Sequence, residues 1–325
     1  MKYLPMKRVL VTGATGFVGG ALVRRLGAEP GMVPVAGVRR VPAPAEASVE
    51  YLALGDLEDC RVSPQDLQGF SAVVHAAARV HVMHDHAADP LAEFRRVNVQ
   101  GTLALARAAA AAGVRRFVFL SSVKVNGEAS RPGEPIRADD APVPPSDPYG
   151  LSKYEAEQGL RRVADETGME LVIVRPPLVY GPGVRANFLS LMRWLRLGIP
   201  LPLSGVDNRR SFVALDNLVD LLVCCVHHPA AANQTLLVSD GDDISTSELL
   251  RRLGAAMGRP ARLWGSRLVK RLLIATGRDS LVQRLYGSLQ LDIDKTRELL
   301  GWTPPVRSEQ ALRETAEHFL RRRAC

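Results

Sequence analysis

Tyr149 and Lys153 stand four residues apart in Tyr-Gly-Leu-Ser-Lys, at the start of a segment whose pattern predicts a helix. At that spacing both side chains share one helix face, so an ammonium can lie beside a phenol and tune its proton affinity. Ser122 closes the apolar run Phe119-Leu120-Ser121-Ser122. A hydroxyl at the end of a strand can hydrogen-bond a substrate oxygen. Taken singly, each has a plain structural reading: a solvated Tyr and Lys on a helix, a polar residue ending a strand. Taken together, they point to proton transfer at a carbinol or ketone.

A third pattern, Thr-Gly-Ala-Thr-Gly-Phe-Val-Gly at residues 12–19, follows the first apolar run. Gly13 permits a tight turn, Gly16 lets backbone approach a pyrophosphate, and Gly19 allows a helix to pack closely on its strand. The bland alternative is a strand-to-helix turn that merely needs glycine. Its place between a strand and a helix predicts a dinucleotide site. A free tyrosine titrates near 10, and bringing it to about 7 takes roughly 4 kcal/mol of differential stabilisation. Lys153 together with an oxidised, cationic nicotinamide would supply that.

The elements that must position these residues are legible as a rhythm. Apolar strand-like runs at 9–11, 33–38, 49–54, 72–75, 116–120 and 171–174 alternate with helical patterns, including an alanine-rich segment at 90–112 and a helix from Tyr149. Continuous apolar strands separated by helices predict an α/β fold with a doubly wound parallel Rossmann sheet. After Arg175 the rhythm breaks: Pro176, Pro177, Gly181, Pro182 and Gly183 predict a loop. Residues 1–175 are therefore expected to form the dinucleotide-binding domain, with 211–226 returning to it. Residues 176–325 are expected to form a smaller, mostly helical substrate-binding region. Within it, Ser245 and Glu248 predict a capping box.

With 325 residues and 46% hydrophobic content the chain can bury a sizeable core. The net charge of +8 favours anionic partners, but with 5% aromatic residues and no basic run interleaved with aromatics, nucleic acid is not expected among them. Cys60, Cys224, Cys225 and Cys325 lack metal or disulfide spacing, which suits a reducing cytoplasm. The N-terminus lacks the apolar core of a signal peptide, and residues 212–226, interrupted by Asp216 and Asp220, are too short to span a bilayer. The expectation is a cytoplasmic protein without membrane insertion. His81, His84 and His86 invite a metal reading, but their spacing on a loop argues for a substrate-contacting or surface role, and no metal is expected.

The motifs as a set resemble the extended short-chain dehydrogenases/reductases, in the NAD-dependent epimerase/dehydratase family that handles nucleotide sugars. They are TGATGFVG at 12–19, GDL at 55–57, HAAA at 75–78, VNVQGT at 97–102, FLSSVKVNGE at 119–128, DPYGLSK at 147–153, RPPLVYGPG at 175–183 and LGW at 300–302. The resemblance implies that Ser122, Tyr149 and Lys153 form a catalytic triad. It implies cofactor contacts from Gly13, Thr15, Gly16, Phe17, Val18, Gly19, Arg39, Arg40, Asp56, Leu57, Ala76, Ala77, Ala78, Asn98, Tyr149, Lys153 and Pro176, with Asp56 and Leu57 flanking the adenine and Asn98 supporting the active-site helix and its proton relay. Ser122, Lys124, Asn187 and Arg210 are the expected substrate contacts, the last two on the diphosphate. It also implies a homodimer through two main-domain helices, with 90–112 and 149–167 as candidates.

Two departures narrow the reaction. Nucleotide-sugar 4,6-dehydratases place an Asp-Glu pair where this chain has Val123 and Lys124, and a valine cannot move a proton. After the second strand, where NAD-using relatives place an acid, stand Arg39 and Arg40, which suit a 2′-phosphate and favour NADP(H) over NAD(H). The first expectation is thus reduction at C4 of a nucleotide-linked, UDP-type 4-keto-6-deoxy-hexosamine in surface-polysaccharide (O-antigen) biosynthesis. The alternative is a UDP-hexose 4-epimerase with retained NAD. A remote third is a non-catalytic dinucleotide sensor.

Overall fold

Successive residues of the first strand bury against opposite faces of one sheet: Val9 and Val11 in one core cluster, Leu10 in another. In this computed structural model the described residues are 6–321, apart from 47, 60–61, 81–88, 132, 266–268, 270, 272–273 and 278. His81, His84 and His86, like Cys60 and Cys325, lie outside them.

Six strands come from residues 7–175: β1 (Lys7–Thr12), β2 (Met32–Val38), β3 (Glu50–Ala53), β4 (Phe70–His75), β5 (Arg116–Leu120) and β6 (Glu170–Arg175). Between them run α1 (Phe17–Gly27), α2 (Pro90–Arg95), α3 (Thr102–Ala111) and α4 (Pro148–Thr167). After β6 come β7 (Leu178–Tyr180), α5 (Ala186–Leu197), β8 (Leu201–Ser204), β9 (Phe212–Ala214), α6 (Leu215–His227), β10 (Thr235–Leu237), α7 (Thr246–Ala256) and β11 (Leu263–Gly265). The main sheet has seven strands in the order β10-β6-β5-β4-β1-β2-β3, and every neighbouring pair is parallel. The order reverses between β1 and β4, which opens a crevice at their carboxyl ends.

The two sheet faces are covered separately. Leu22 and Leu26 of α1 and Leu218, Leu221 and Leu222 of α6 pack with Val9 and Val11. Leu105 and Ala109 of α3 and Ala156, Leu160 and Val163 of α4 pack with Leu10 and Phe117. A third cluster, including Phe188, Met192, Leu253, Leu312 and Phe319, forms the core of the C-terminal lobe. No helix among the described residues is long and apolar enough to cross a membrane.

Three local features differ from the sequence expectations. The helical segment at 90–112 is interrupted by a π-helical turn at Arg96–Gly101. The turn ends at a close approach: a Cβ on Gly101 would lie 2.3 Å from the Leu57 carbonyl oxygen, a contact that glycine allows. The expected loop after Arg175 contains a short strand, β7, paired in parallel with β9. Ser245 does cap α7, accepting from Glu248 N at 3.0 Å, but the Glu248 carboxylate turns to Arg252 instead of completing the box.

Gly19 packs α1 onto the loop after β1. A Cβ there would lie 2.2 Å from the Gly13 carbonyl oxygen, and that neighbour is backbone. Gly19→Ala is expected to destabilise the fold by about 1–3 kcal/mol, as overpacking does, and to weaken dinucleotide binding. A urea midpoint and a cofactor titration check both.

Candidate active site

The crevice is built from the carboxyl ends of β1, β4, β5 and β6 and the N-termini of α1 and α4. Gly13 adopts φ +68°, and a Cβ on it would stand 2.8 Å from the Ala77 amide nitrogen. The loop after β1 is thereby pressed against Ala76, Ala77 and Ala78, the half-buried loop after β4. Gly16 is the N-cap of α1, which has no side-chain cap and no acidic residue in its first turn. Thr15 and Gly16 are exposed there, with Phe17 and Val18 half-buried behind them. First-turn amides with no competing carboxylate suit a diphosphate.

The Asp147 carboxylate caps α4, accepting from Gly150 N at 3.1 Å, and Pro148 occupies the first turn. One stripe of this helix carries Tyr149, Lys153 and Glu157 at intervals of four, toward the end of the sheet. Tyr149 is half-buried and packs edge-on to Phe94, with ring centroids 6.3 Å apart. Burial, with the Asp147 charge, pushes its phenol up to about 12. Lys153 is buried; its ammonium donates to the Leu120 carbonyl at 2.8 Å and lies 4.5 Å from the centre of the Phe119 ring. Burial pulls it down to about 7, against the opposing pull of Glu157.

Ser122 leaves β5 extended and heads a short 3-10 turn at Val123–Val125, its Oγ accepting from Lys124 N at 3.3 Å. The turn is held from below, where Val123 N donates to the Pro176 carbonyl at 3.0 Å. A hydroxyl on β5 thus stands beside the α4 stripe at the sheet's ligand-binding edge. A family model described as the NAD dependent epimerase/dehydratase family matches residues 9–238. The chain belongs to that family.

Similarity to family members extends end to end. The chain is 44% identical to a UDP-glucose 4-epimerase of Vibrio cholerae over 320 residues, 97% of this chain and 96% of that protein. It is 28% identical to MoeE5, solved in complex with UDP-glucose and NAD, with a TM-score of 0.75 and coverage of 98% and 100%. A UDP-glucuronic acid 4-epimerase from Bacillus cereus, in complex with NAD, shares the fold at a TM-score of 0.77 and 20% identity, covering 97% and 99%.

The residues present fit the family's dinucleotide: any Cβ at Gly13 or Gly19 would collide with backbone, and the α1 N-terminus is free of acid. At the adenosine end, the Arg39 guanidinium and the Asp56 carboxylate pair at 2.7 Å, both well exposed. Arg40 is exposed beside them, and Leu57 is half-buried, its carbonyl against Gly101. Asn98 sits on the π-helical turn, bridging Arg79 N at 2.8 Å, Arg79 O at 3.0 Å and Ser152 Oγ at 2.9 Å. Since Ser152 donates to the Tyr149 carbonyl at 2.7 Å, Asn98 is tied to the first turn of α4.

The expected substrate contacts are more scattered. Lys124 forms ion pairs with Asp147 at 3.0 Å and Glu128 at 3.2 Å, bracing the α4 cap. Arg210 donates to the Gly287 carbonyl at 2.9 Å within the C-terminal lobe. Asn187 lies in the first turn of α5; its side chain falls outside the described residues.

Sequence reasoning passed over two buried networks that hold the site. The Glu157 carboxylate accepts from Ser121 Oγ at 2.5 Å and from Arg175 Nε at 2.9 Å, while Arg175 Nη1 donates to Asn126 at 2.9 Å. The helix phase shared with Tyr149 and Lys153 was the signal available for Glu157. The second network is the His75 ring, fully buried between Thr12 Oγ1 at 2.7 Å and Thr102 Oγ1 at 2.9 Å. Thr12 in turn accepts from Ala77 N at 3.2 Å, joining β1, β4 and α3.

Burial, then the charge of Lys153, pulls His75 down to about 3. An unfolded histidine titrates near 6.5, so between those values the unfolded chain binds a proton the native one refuses. The associated stability is complete above pH 6.5 and is lost as pH falls toward 3. It amounts to roughly 2–3 kcal/mol between pH 6.5 and 4.5. Urea unfolding across that window should show this loss, and His75→Gln should flatten it while lowering stability at pH 7.

Proposed function

We propose that this chain is a UDP-hexose 4-epimerase that retains NAD through the cycle. The reading departs from the reductase expected first, and the Arg39–Asp56 pair is the observation that favours it. The guanidinium expected to meet a 2′-phosphate already has a carboxylate at 2.7 Å, and that carboxylate would repel the phosphate. NAD suits such an edge better than NADP, and retained NAD suits epimerisation. The end-to-end similarity to the Vibrio cholerae UDP-glucose 4-epimerase supports the same substrate class.

NAD, when bound, supplies the acceptor and donor of a hydride at the sugar's C4. The chain's own residues manage the proton on O4. Ser122 Oγ hydrogen-bonds O4 and fixes its position. Tyr149 takes the O4 proton as the carbinol becomes a ketone and returns it after the sugar has turned over. In the resting protein its phenol, at about 12, is a protonated donor. Making it a base near pH 7 requires about 7 kcal/mol of stabilisation of the phenolate. The Lys153 ammonium one helical turn away contributes to that, and Glu157 behind it favours its charged form. Val123, buried at the position of a dehydratase acid, leaves no proton carrier for elimination.

The test is interconversion of UDP-glucose and UDP-galactose without added cofactor, with denaturation to identify the released dinucleotide. Conversion with stoichiometric NAD is expected. Absence of interconversion, with one NADPH consumed per sugar when a UDP-linked 4-keto sugar is supplied instead, would overturn the reading and restore the reductase.

A further inference from the structure

The C-terminal lobe presents an edge that the site does not use. The last turn of α5 exposes Trp194 and Leu197, 43% and 66% accessible, and the chain leaving it exposes Ile199 at 42%. Trp264 in β11 is 52% accessible. Pairing of β11 with β8 brings these segments together: Leu263 lies opposite Leu201, and Leu201 N donates to the Arg262 carbonyl at 2.8 Å. Arg259 Nη1 reaches across to the Arg196 carbonyl at 2.9 Å. Two of the three tryptophans are therefore half-exposed on adjoining segments, whereas Trp302 is buried with its indole nitrogen on Asp220. Single exposed apolar side chains are ordinary, but four on hydrogen-bonded neighbouring segments, two of them tryptophans, mark a contact surface.

The charge on these segments has one sign. The sequence holds no Asp or Glu between Glu170 and Asp207, the stretch that contains α5 and β8. It holds none between Glu248 and Asp279, the stretch that contains β11. Arg193, Arg196, Arg259 and Arg262 lie on the same segments as the exposed apolar residues. A protein partner's surface mixes both signs of charge, whereas a bilayer leaflet rich in anionic phospholipid presents phosphates above hydrocarbon. Tryptophan rings seat at headgroup depth, leucine and isoleucine just below, and arginines reach the phosphates.

We propose that this edge docks the protein peripherally on an anionic phospholipid surface. The four apolar side chains enter the headgroup boundary and the flanking arginines hold them there. Docking leaves the crevice free, because Ser122, Tyr149 and Lys153 belong to the sheet domain and Asn187 stands about 15 Å along α5 from Leu197. The proposal does not depend on which sugar is processed.

The test is sedimentation of the full chain with vesicles of phosphatidylglycerol and phosphatidylethanolamine, compared with phosphatidylcholine alone. Pelleting with the anionic vesicles only is expected, weakening as salt rises, with a blue shift of tryptophan emission. Trp194→Ser with Trp264→Ser should weaken partitioning by about tenfold or more. Arg193→Gln and Arg262→Gln should each weaken it about fivefold. Both sets should keep the melting temperature and the turnover of soluble UDP-sugar, which separates lost docking from lost fold. Absence of pelleting at low salt, equal pelleting with phosphatidylcholine, or wild-type binding by the double tryptophan variant would overturn the proposal. So would self-association that shields both tryptophans from an aqueous quencher, since a second copy would then cover the edge.

Discussion

Tyr149→Phe should lower kcat by roughly a thousandfold while leaving the content of bound dinucleotide unchanged. The variant removes one oxygen and keeps the ring that packs edge-on to Phe94, so the first turn of α4 has no reason to move. The loss falls on chemistry because the other two side chains of the stripe are engaged, Lys153 with the Leu120 carbonyl and Glu157 with Ser121 and Arg175. Lys153→Met should be as damaging to turnover and should also weaken cofactor retention. Ser122→Ala, which deletes a positioning hydrogen bond to substrate along with the Oγ contact from Lys124 N, should cost about a hundredfold. Turnover within tenfold of wild type in Tyr149→Phe would remove the tyrosine from the mechanism. Dinucleotide content measured after denaturation separates the two failures.

The second large effect lies below the triad. Arg175→Met leaves the Glu157 carboxylate, which is fully buried, with only the more distant Arg161 guanidinium, at 4.0 Å, as a counter-ion. Removing the close partner of a buried pair costs about 3–5 kcal/mol, because the remaining charge is out of water and poorly compensated. A loss of that size approaches the whole stability of an ordinary domain, so low soluble yield is the expected first sign. Replacing both, Arg175→Met with Glu157→Gln, removes the stranded charge and should recover most of the stability. It should not recover the pH profile: Glu157 favours the charged form of Lys153, so its neutralisation lowers the lysine's proton affinity further. Chemical denaturation of the single and double variants, with kcat against pH, distinguishes a structural pair from one that also tunes the site.

What was legible in the sequence was what depends on short range. The glycine loop and the Tyr149–Lys153 spacing are fixed by a few consecutive residues and by the pitch of one helix. Arg39 illustrates the opposite case. Its type was read correctly and its surroundings were not, because Asp56 follows a different strand and meets it only once β2 and β3 lie side by side. Glu157 carried no sign beyond its helix phase, because Arg175, the partner that gives it a role, arrives from β6. The π-helical turn was hidden in alanine-rich helical sequence, and the Leu57 backbone that Gly101 meets there lies some forty residues earlier. Thr235-Leu236-Leu237 is too short a run to announce a strand.

That short run has a consequence for how the molecule can be divided. β10 forms the outer edge of the main sheet beside β6, and α6 covers one of its faces, although both come after the chain has left for the C-terminal lobe. A truncation after Arg175 would strip β6 of its neighbour and leave a row of unpaired amides and carbonyls beside an uncovered apolar face, an invitation to intermolecular pairing. The substrate lobe is therefore no detachable module. Loop grafts between relatives can exchange sugar preference, but the crossover points must fall within surface loops of the intact chain and not at the apparent seam between its halves.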